Sequence, residues 1–271
     1  MSKQSAAALI TTICLLACYA TTIQGMVLQW WNDEDMGHGF VVPLIILWIV
    51  WREREKWISI PPVPNIWGVV LLAAGLAMHA AGAIGVGLFA SSVALLLSAV
   101  GAILCLGGAG LLRAWAFPIF LALFMLPKLA IVYNQATLPL QLLASKLAAG
   151  ILSFSGIGVI RSGNILDVGG HRVAVAEACN GIRYLLPLAF MAVVFGYLAD
   201  PKPWMRAALM IATIPVAIFA NGLRVAASAW IPALDSGTPH EVAGVAFFVI
   251  SLVSILGIQK SVNSMYGRLH A

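Results

Sequence analysis

Apolar residues fill long stretches of this chain, and polar residues fall between them as short interruptions. An apolar run of about 20 residues is the length needed to cross a hydrocarbon core as a helix. The first runs from Ala6 to Leu28 and predicts span one; a polar loop follows, Trp31-Asn32-Asp33-Glu34-Asp35-Met36-Gly37-His38. Span two, Gly39 to Trp51, is short, and a charged cluster (Arg52-Glu53-Arg54-Glu55-Lys56) and the Pro-rich connector Pro61-Pro62-Val63-Pro64 come after it. Spans three, four and five are read at Ile66 to Ala83, Val86 to Gly107 and Ala114 to Tyr133, the last carrying Pro118 and Pro127 as kink points that neighbouring helices can tolerate in a membrane. Spans six, seven and eight follow at Ile182 to Leu198, Arg206 to Ile231 and Val242 to Ile258.

The segment from Asn134 to Ala178 does not read as a simple span. Gln141, Lys146, Arg161, Asp167, His171, Arg172 and Glu177 are spread through it. Its first part, Leu138 to Ile157, suits an amphipathic or re-entrant helix. Its second part alternates apolar and polar residues on either side of Gly169-Gly170, the pattern of a two-residue β-hairpin. The pattern therefore predicts an all-α membrane protein of about eight transmembrane helices, with a small outward-facing β-hairpin before span six. Residues 1–271 read as a single integral membrane domain, in which 134–178 is the re-entrant or amphipathic segment and the hairpin. No internal repeat is visible.

Composition agrees. Of 271 residues, 62% are hydrophobic and only 9% charged, against roughly 25% charged in a soluble domain. So few charges cannot cover a water-exposed surface, which excludes a cytosolic enzyme, a nucleic-acid-binding protein and a disordered chain. The net charge of +5 reads as the Lys/Arg bias of cytoplasmic loops. With the loop holding Arg52, Arg54 and Lys56 in the cytoplasm, alternation puts Arg113, Lys202, Arg206, Lys260 and Arg268 there as well, together with Lys3. Both termini are then cytoplasmic. The acidic loop Asp33-Glu34-Asp35, the hairpin and the loop from Pro232 to Pro239 face outward. Lys3 precedes an apolar run with no small-residue cleavage site after it, which predicts a retained span and not a cleaved signal.

Four cysteines are present. Cys14, Cys18 and Cys105 lie in apolar runs, where small thiols are usually inert packing. Cys179 instead sits among polar residues, in Glu177-Ala178-Cys179-Asn180-Gly181-Ile182-Arg183, at the outer start of span six. Arg224 lies in span seven within Asn221-Gly222-Leu223-Arg224, and His240 begins span eight after Pro239. A thiol, a guanidinium and an imidazole thus converge on one side of the membrane. The thiolate is the nucleophile, a nearby cation or helix N-terminus favours it, and a histidine can take and return a proton. An Arg inside an apolar helix costs about 2.5–3.5 kcal/mol on insertion scales, so it has either a partner or a role. The structural alternative for Arg224 is an ion pair with Glu177, Asp235 or Glu241. Arg183, roughly 6 Å deeper than Cys179 on the same helix face, either polarises the thiolate or pairs with Glu177. His79 reads as helix packing and His171 as a solvated hairpin residue.

These stretches resemble a known family. Gly37-His38-Gly39-Phe40-Val41-Val42-Pro43-Leu44-Ile45 with its basic loop, the Glu177–Arg183 stretch, Asn221-Gly222-Leu223-Arg224 and His240 together resemble the exosortase/archaeosortase membrane cysteine proteases, exosortase branch, over about residues 30 to 260. The resemblance implies an enzyme of the bacterial inner membrane, its site facing the periplasm. Such enzymes are thought to cleave C-terminal sorting signals made of a short motif (Pro-Glu-Pro in exosortases), a transmembrane helix and a basic tail, and to pass the product to an acceptor. The catalytic set it implies is Cys179, Arg224 and His240, with Arg183, Glu177, Asn180, Asn221 and His38 supporting; His38 either caps span two or lines the site. No cofactor and no metal are expected. The expected partners are substrate proteins bearing such a signal and membrane lipids, not nucleic acid. A transporter or scaffold of an envelope polysaccharide export system is the rival reading, and a membrane acyltransferase using the same nucleophile is another.

Overall fold

The computed structural model describes residues 3–82, 87–175, 181–199 and 202–269. The chain is mostly helical and packs as two compact units, Met1–Leu129 and Ala130–Ala271. Among the described residues four helices are long and apolar enough to cross a membrane, or five if one bent pair counts as a single span. Exposed apolar side chains coat their outer surfaces, Leu9, Ile13 and Leu16 on one helix and Val242, Val245, Val249 and Val253 on another. Rows of this size are not left in contact with water by a soluble monomer; facing acyl chains, they belong there.

In the first unit, span one is a broken pair: α1 (Lys3–Cys18) and α2 (Ala20–Asn32) meet at a 65° bend. Tyr19 sits at the bend, fully buried, with its hydroxyl 2.8 Å from Ser98 Oγ and 3.2 Å from the Ala94 carbonyl oxygen. His79 stacks on the same ring at 4.1 Å and its Nε2 donates to the Cys18 carbonyl oxygen, so it is the packing residue that its sequence setting suggests. Cys14 and Cys18 are exposed on α1, where the sequence suggested packing; Cys105 is half-buried. A 3-10 turn (Gly37–Phe40) leads into α3 (Val41–Arg52), and α4 (Arg54–Ile58) carries the charged cluster. These, α5 (Trp67–Ala81) and α7 (Ala116–Ala122) are shorter than a full crossing.

The tightest packing in this unit joins α5 to α6 (Gly87–Ala114), and it depends on absent side chains. A Cβ at Gly68 would overlap the backbone of Cys105, one at Gly75 the Ser98 hydroxyl, and one at Gly101 the Leu72 backbone. Small residues let helix backbones approach where no hydrophobic effect drives them together. Gly68→Val is therefore expected to lower stability by about 2 kcal/mol or more, read by thermal unfolding of the detergent-solubilised protein. Gly150→Ala, in the second unit with nothing within 4 Å of its added Cβ, should leave that stability unchanged or slightly raised.

Span five departs from the expectation. Its helix stops in a 3-10 turn (Leu123–Met125), and a new helix, α8 (Ala130–Phe154), begins after residue 129 and continues to 154. The segment expected to be an amphipathic or re-entrant helix from Leu138 to Ile157 is thus mostly the latter part of a 25-residue helix that is itself a candidate span. The eight-span alternation, which ends span five at Tyr133 and leaves 134–178 outside, has no place for this helix as a crossing.

In the second unit β1 (Ile160–Ser162), β2 (Ile165–Val168) and β3 (His171–Ala174) form an antiparallel meander. The β2–β3 hairpin turns on Gly169 (φ 59°) and Gly170 (φ 90°), both in the left-handed region that a two-residue type I′ turn needs. Asp167 accepts from Gly170 N and from Arg172 Nε, each at 3.0 Å. The Arg172 bond first, then the Gly170 amide, holds its carboxyl below the usual carboxylate value. The sheet lays Leu166 and Val173 on Ala144, Ala148 and Leu152 of α8 and on Val225, Ala226 and Ala229 of α10 (Pro203–Trp230).

α10 is the central helix of this unit, packed by α8, α9 (Ile182–Ala199) and α11 (Gly237–Leu269). Gly196 lies by Arg206 and Gly181 by Asn221, so α9 runs antiparallel to α10. α11 also runs antiparallel, with Lys202 hydrogen-bonded to Asn263 at one end and Arg224 to His240 towards the other. α8 runs parallel to α10, since Leu140 and Leu143 stand with Ile214 and Ile218 while Leu152 clusters with Val225 and Ala229.

Candidate functional site

Among the described residues Arg224 is the largest fully buried side chain, 2% exposed inside α10. Its Nη2 donates to His240 Nε2 at 2.7 Å. The other imidazole nitrogen, Nδ1, lies 2.8 Å from the Leu234 carbonyl oxygen. A carbonyl can only accept, so Nδ1 carries the proton and the Nε2 lone pair faces the guanidinium. The same carbonyl takes the Ser228 hydroxyl at 3.1 Å. It stands at the end of a 3-10 turn (Pro232–Leu234) that folds back over the last turns of α10, and Gly237 (φ 70°) then starts α11. The histidine is thereby fixed in one tautomer and one orientation.

Below the guanidinium lies the Tyr184 ring, 5.2 Å from its centroid to Arg224 Cζ. Arg224 forms no ion pair with Asp235 or Glu241, the described carboxylates that the structural alternative would require, and its Nε and Nη1 are buried with no hydrogen-bond partner among the described residues. A buried cation with two unused donors is costly unless something anionic is to meet it.

Asn221, one turn before Arg224, is 2% exposed and stands against Gly181. Gly181 has φ 88°, a left-handed conformation at the entry to α9. Arg183 is half-buried in the first turn of α9. Cys179, Asn180 and Glu177 lie outside the described residues. An apolar groove of about 110 Å³ opens beside Gly181 and Asn221, walled by Leu140, Leu143, Ile214 and Ile218.

His38 belongs to the other unit. Its Nε2 donates to the Phe124 carbonyl oxygen at 3.1 Å, beside Trp30 Nε1 donating to Met125 O and Lys128 bridging Asp33 (2.7 Å) and Asp35 (3.1 Å). Together these tie the acidic loop to the turn after α7.

The structure thus joins Arg224 to His240 and sets Asn221 one turn away. Sequence reasoning missed Tyr184, the Leu234 carbonyl and Gly244, which lies against Tyr184 and Arg224. The signals were faint: Tyr184 directly follows Arg183, and Gly244 stands one helical turn after His240.

With this geometry in place, comparison with known proteins finds one family whose model, described as transmembrane exosortase, matches residues 30–257. No curated protein and no solved structure matches the chain.

Proposed function

The chain belongs to the transmembrane exosortase family, and on that premise we propose that it is a membrane-embedded cysteine protease or transpeptidase that removes C-terminal sorting signals of the Pro-Glu-Pro type. The observation that supports this reading best is the buried Arg224–His240 pair at 2.7 Å with two guanidinium donors unused. Cys179 is the nucleophile. Only Asn180 lies between it and Gly181, two residue steps with a reach of about 7 Å, and Gly181 adjoins Asn221.

His240 Nε2 takes the proton of the Cys179 thiol, exchanging its bond to Arg224 for one to sulfur. The thiolate attacks the scissile carbonyl carbon, and the carbonyl π electrons move onto oxygen. Arg224 Nη1 donates to that oxyanion, where a preorganised donor in a dry site acts most strongly. The imidazolium then protonates the leaving nitrogen, the C–N bond breaks, and the signal's helix and tail depart as a free amine. An acceptor amine, hydroxyl or water attacks the thioester and gives its proton to His240. The C–S bond breaks and the thiolate recovers the proton.

For residues 130–271 the distribution of charge supports one orientation. Lys202 and Arg206 share an end with Asn263 and Tyr266, towards Lys260, and basic ends stay in the cytoplasm. Arg224, His240 and the hairpin then face the periplasm of a bacterial inner membrane. A reporter protein ending in a Pro-Glu-Pro motif, a transmembrane helix and a basic tail tests the function. Mass spectrometry should find it truncated at the motif when co-produced with this chain and intact without it. A reporter that inserts normally and stays intact beside the chain would contradict the reading.

A further inference from the structure

We infer that Tyr184 is the positioning residue of Arg224 and that α11 is built to hold it there, an inference that rests on the proposed cysteine mechanism. A buried guanidinium needs an electron-rich neighbour. A carboxylate would supply one but would cancel the charge and occupy the N–H groups. An aromatic face stabilises the cation without accepting any of its in-plane hydrogen bonds. Tyr184 offers that face at 5.2 Å, while His240 takes Nη2 and leaves Nε and Nη1 open.

Three residues of α11, four apart on one face, complete the arrangement. His240 bonds Arg224. Gly244 is buried, and a Cβ there would lie 2.5 Å from the Tyr184 hydroxyl oxygen and 3.6 Å from Arg224 Nη2. Phe248 packs its ring 6.4 Å from that of Tyr184. The missing side chain at Gly244 is the space into which the tyrosine tip extends, and any larger residue pushes the ring away from the guanidinium.

The geometry gives a suppression test on the full chain in membranes, with the Pro-Glu-Pro reporter as substrate. Tyr184→Phe keeps the ring face and should retain activity within about threefold, whereas Tyr184→Leu should lose about tenfold or more in kcat with little change in KM. Gly244→Ala should lose about tenfold by displacing the hydroxyl. Adding Tyr184→Phe, which lacks the atom in conflict, should recover most of that loss, a coupling that independent structural damage does not produce. A second readout is alkylation of Cys179 against pH in a background with Cys14, Cys18 and Cys105 replaced by Ala. Its midpoint should rise in Tyr184→Leu, because a displaced cation favours the thiolate less.

Full activity with an unmoved midpoint in Tyr184→Leu would overturn the inference, as would an unrescued Gly244→Ala. Cys179→Ala as a control separates the two levels. If it still processes the reporter, the cysteine reading itself fails; if it is inactive while Tyr184→Leu is unimpaired, only the role of Tyr184 fails.

Discussion

Cys179→Ala is expected to reduce processing of the reporter to background, a loss of about 1,000-fold or more, while the protein inserts in the membrane at its normal level. The expectation follows from the chemistry: the thioester intermediate needs a thiol, and Cys179 carries the one thiol in Glu177-Ala178-Cys179-Asn180-Gly181. Cys179→Ser should fare little better, because a serine hydroxyl is a far weaker nucleophile than a thiolate without a dedicated base geometry. Replacing Cys14, Cys18 and Cys105 together by Ala should leave processing within about twofold, since surface substitutions away from a site cost little. Cys14 and Cys18 project from α1 and Cys105 is half-buried on α6. Normal cleavage by Cys179→Ala would remove the cysteine mechanism outright.

Arg224→Lys is expected to lower kcat by about 100-fold, the loss that follows removal of an oriented oxyanion donor, with KM little changed. Arg224 holds His240 through Nη2 at 2.7 Å and keeps Nη1 and Nε as further donors fixed in the same plane. A lysine brings one nitrogen on a flexible stem. It can bond His240 or reach the oxyanion, but cannot do both with the planar geometry of a guanidinium. Single-turnover kinetics on the reporter separates the chemical step from binding. Near-normal turnover in Arg224→Lys would mean that net charge alone is used there, and Arg183 would become the better candidate for the oriented donor.

Much of this arrangement was legible in the chain. Apart from span five the apolar runs coincide with helices, and Gly169-Gly170 between alternating residues gives the hairpin because glycine takes the positive φ that a two-residue type I′ turn needs. The residues of the Arg224–His240 pair were legible for the same reason that makes them informative: a charge inside an apolar helix has few explanations. The breaks were not legible. The bend at Tyr19 falls in an unbroken apolar run, and it reflects a tertiary hydrogen bond to Ser98 that no local pattern records. α8 misled for a related reason. Thr137, Gln141 and Ser145 form a polar stripe four residues apart, which reads as a water-facing surface. In the structure all three are buried, with Ser145 bonded to the Gly163 carbonyl and Gln141 meeting Asn164. Gln141 and Ser145 face inward because the β1–β2 turn supplies their partners, while Thr137 donates to the Tyr133 carbonyl of its own helix. Tyr184 was missed because an aromatic beside an arginine is common in membrane sequences, and only the fold shows that it lies under a different arginine, 40 positions away in the chain.

The claim on which the rest depends is that Cys179 becomes acylated by the sorting signal, and peptide mapping measures this directly. Membranes holding the full chain are incubated with a Pro-Glu-Pro sorting peptide carrying a thiol-trapping electrophile at the scissile position, then digested and read by mass spectrometry. The mechanism predicts the peptide's mass on the fragment containing Cys179, strongly reduced in Arg224→Lys and absent in Cys179→Ala. An adduct on another residue, or an unmodified Cys179 in membranes that still truncate the reporter, would contradict it.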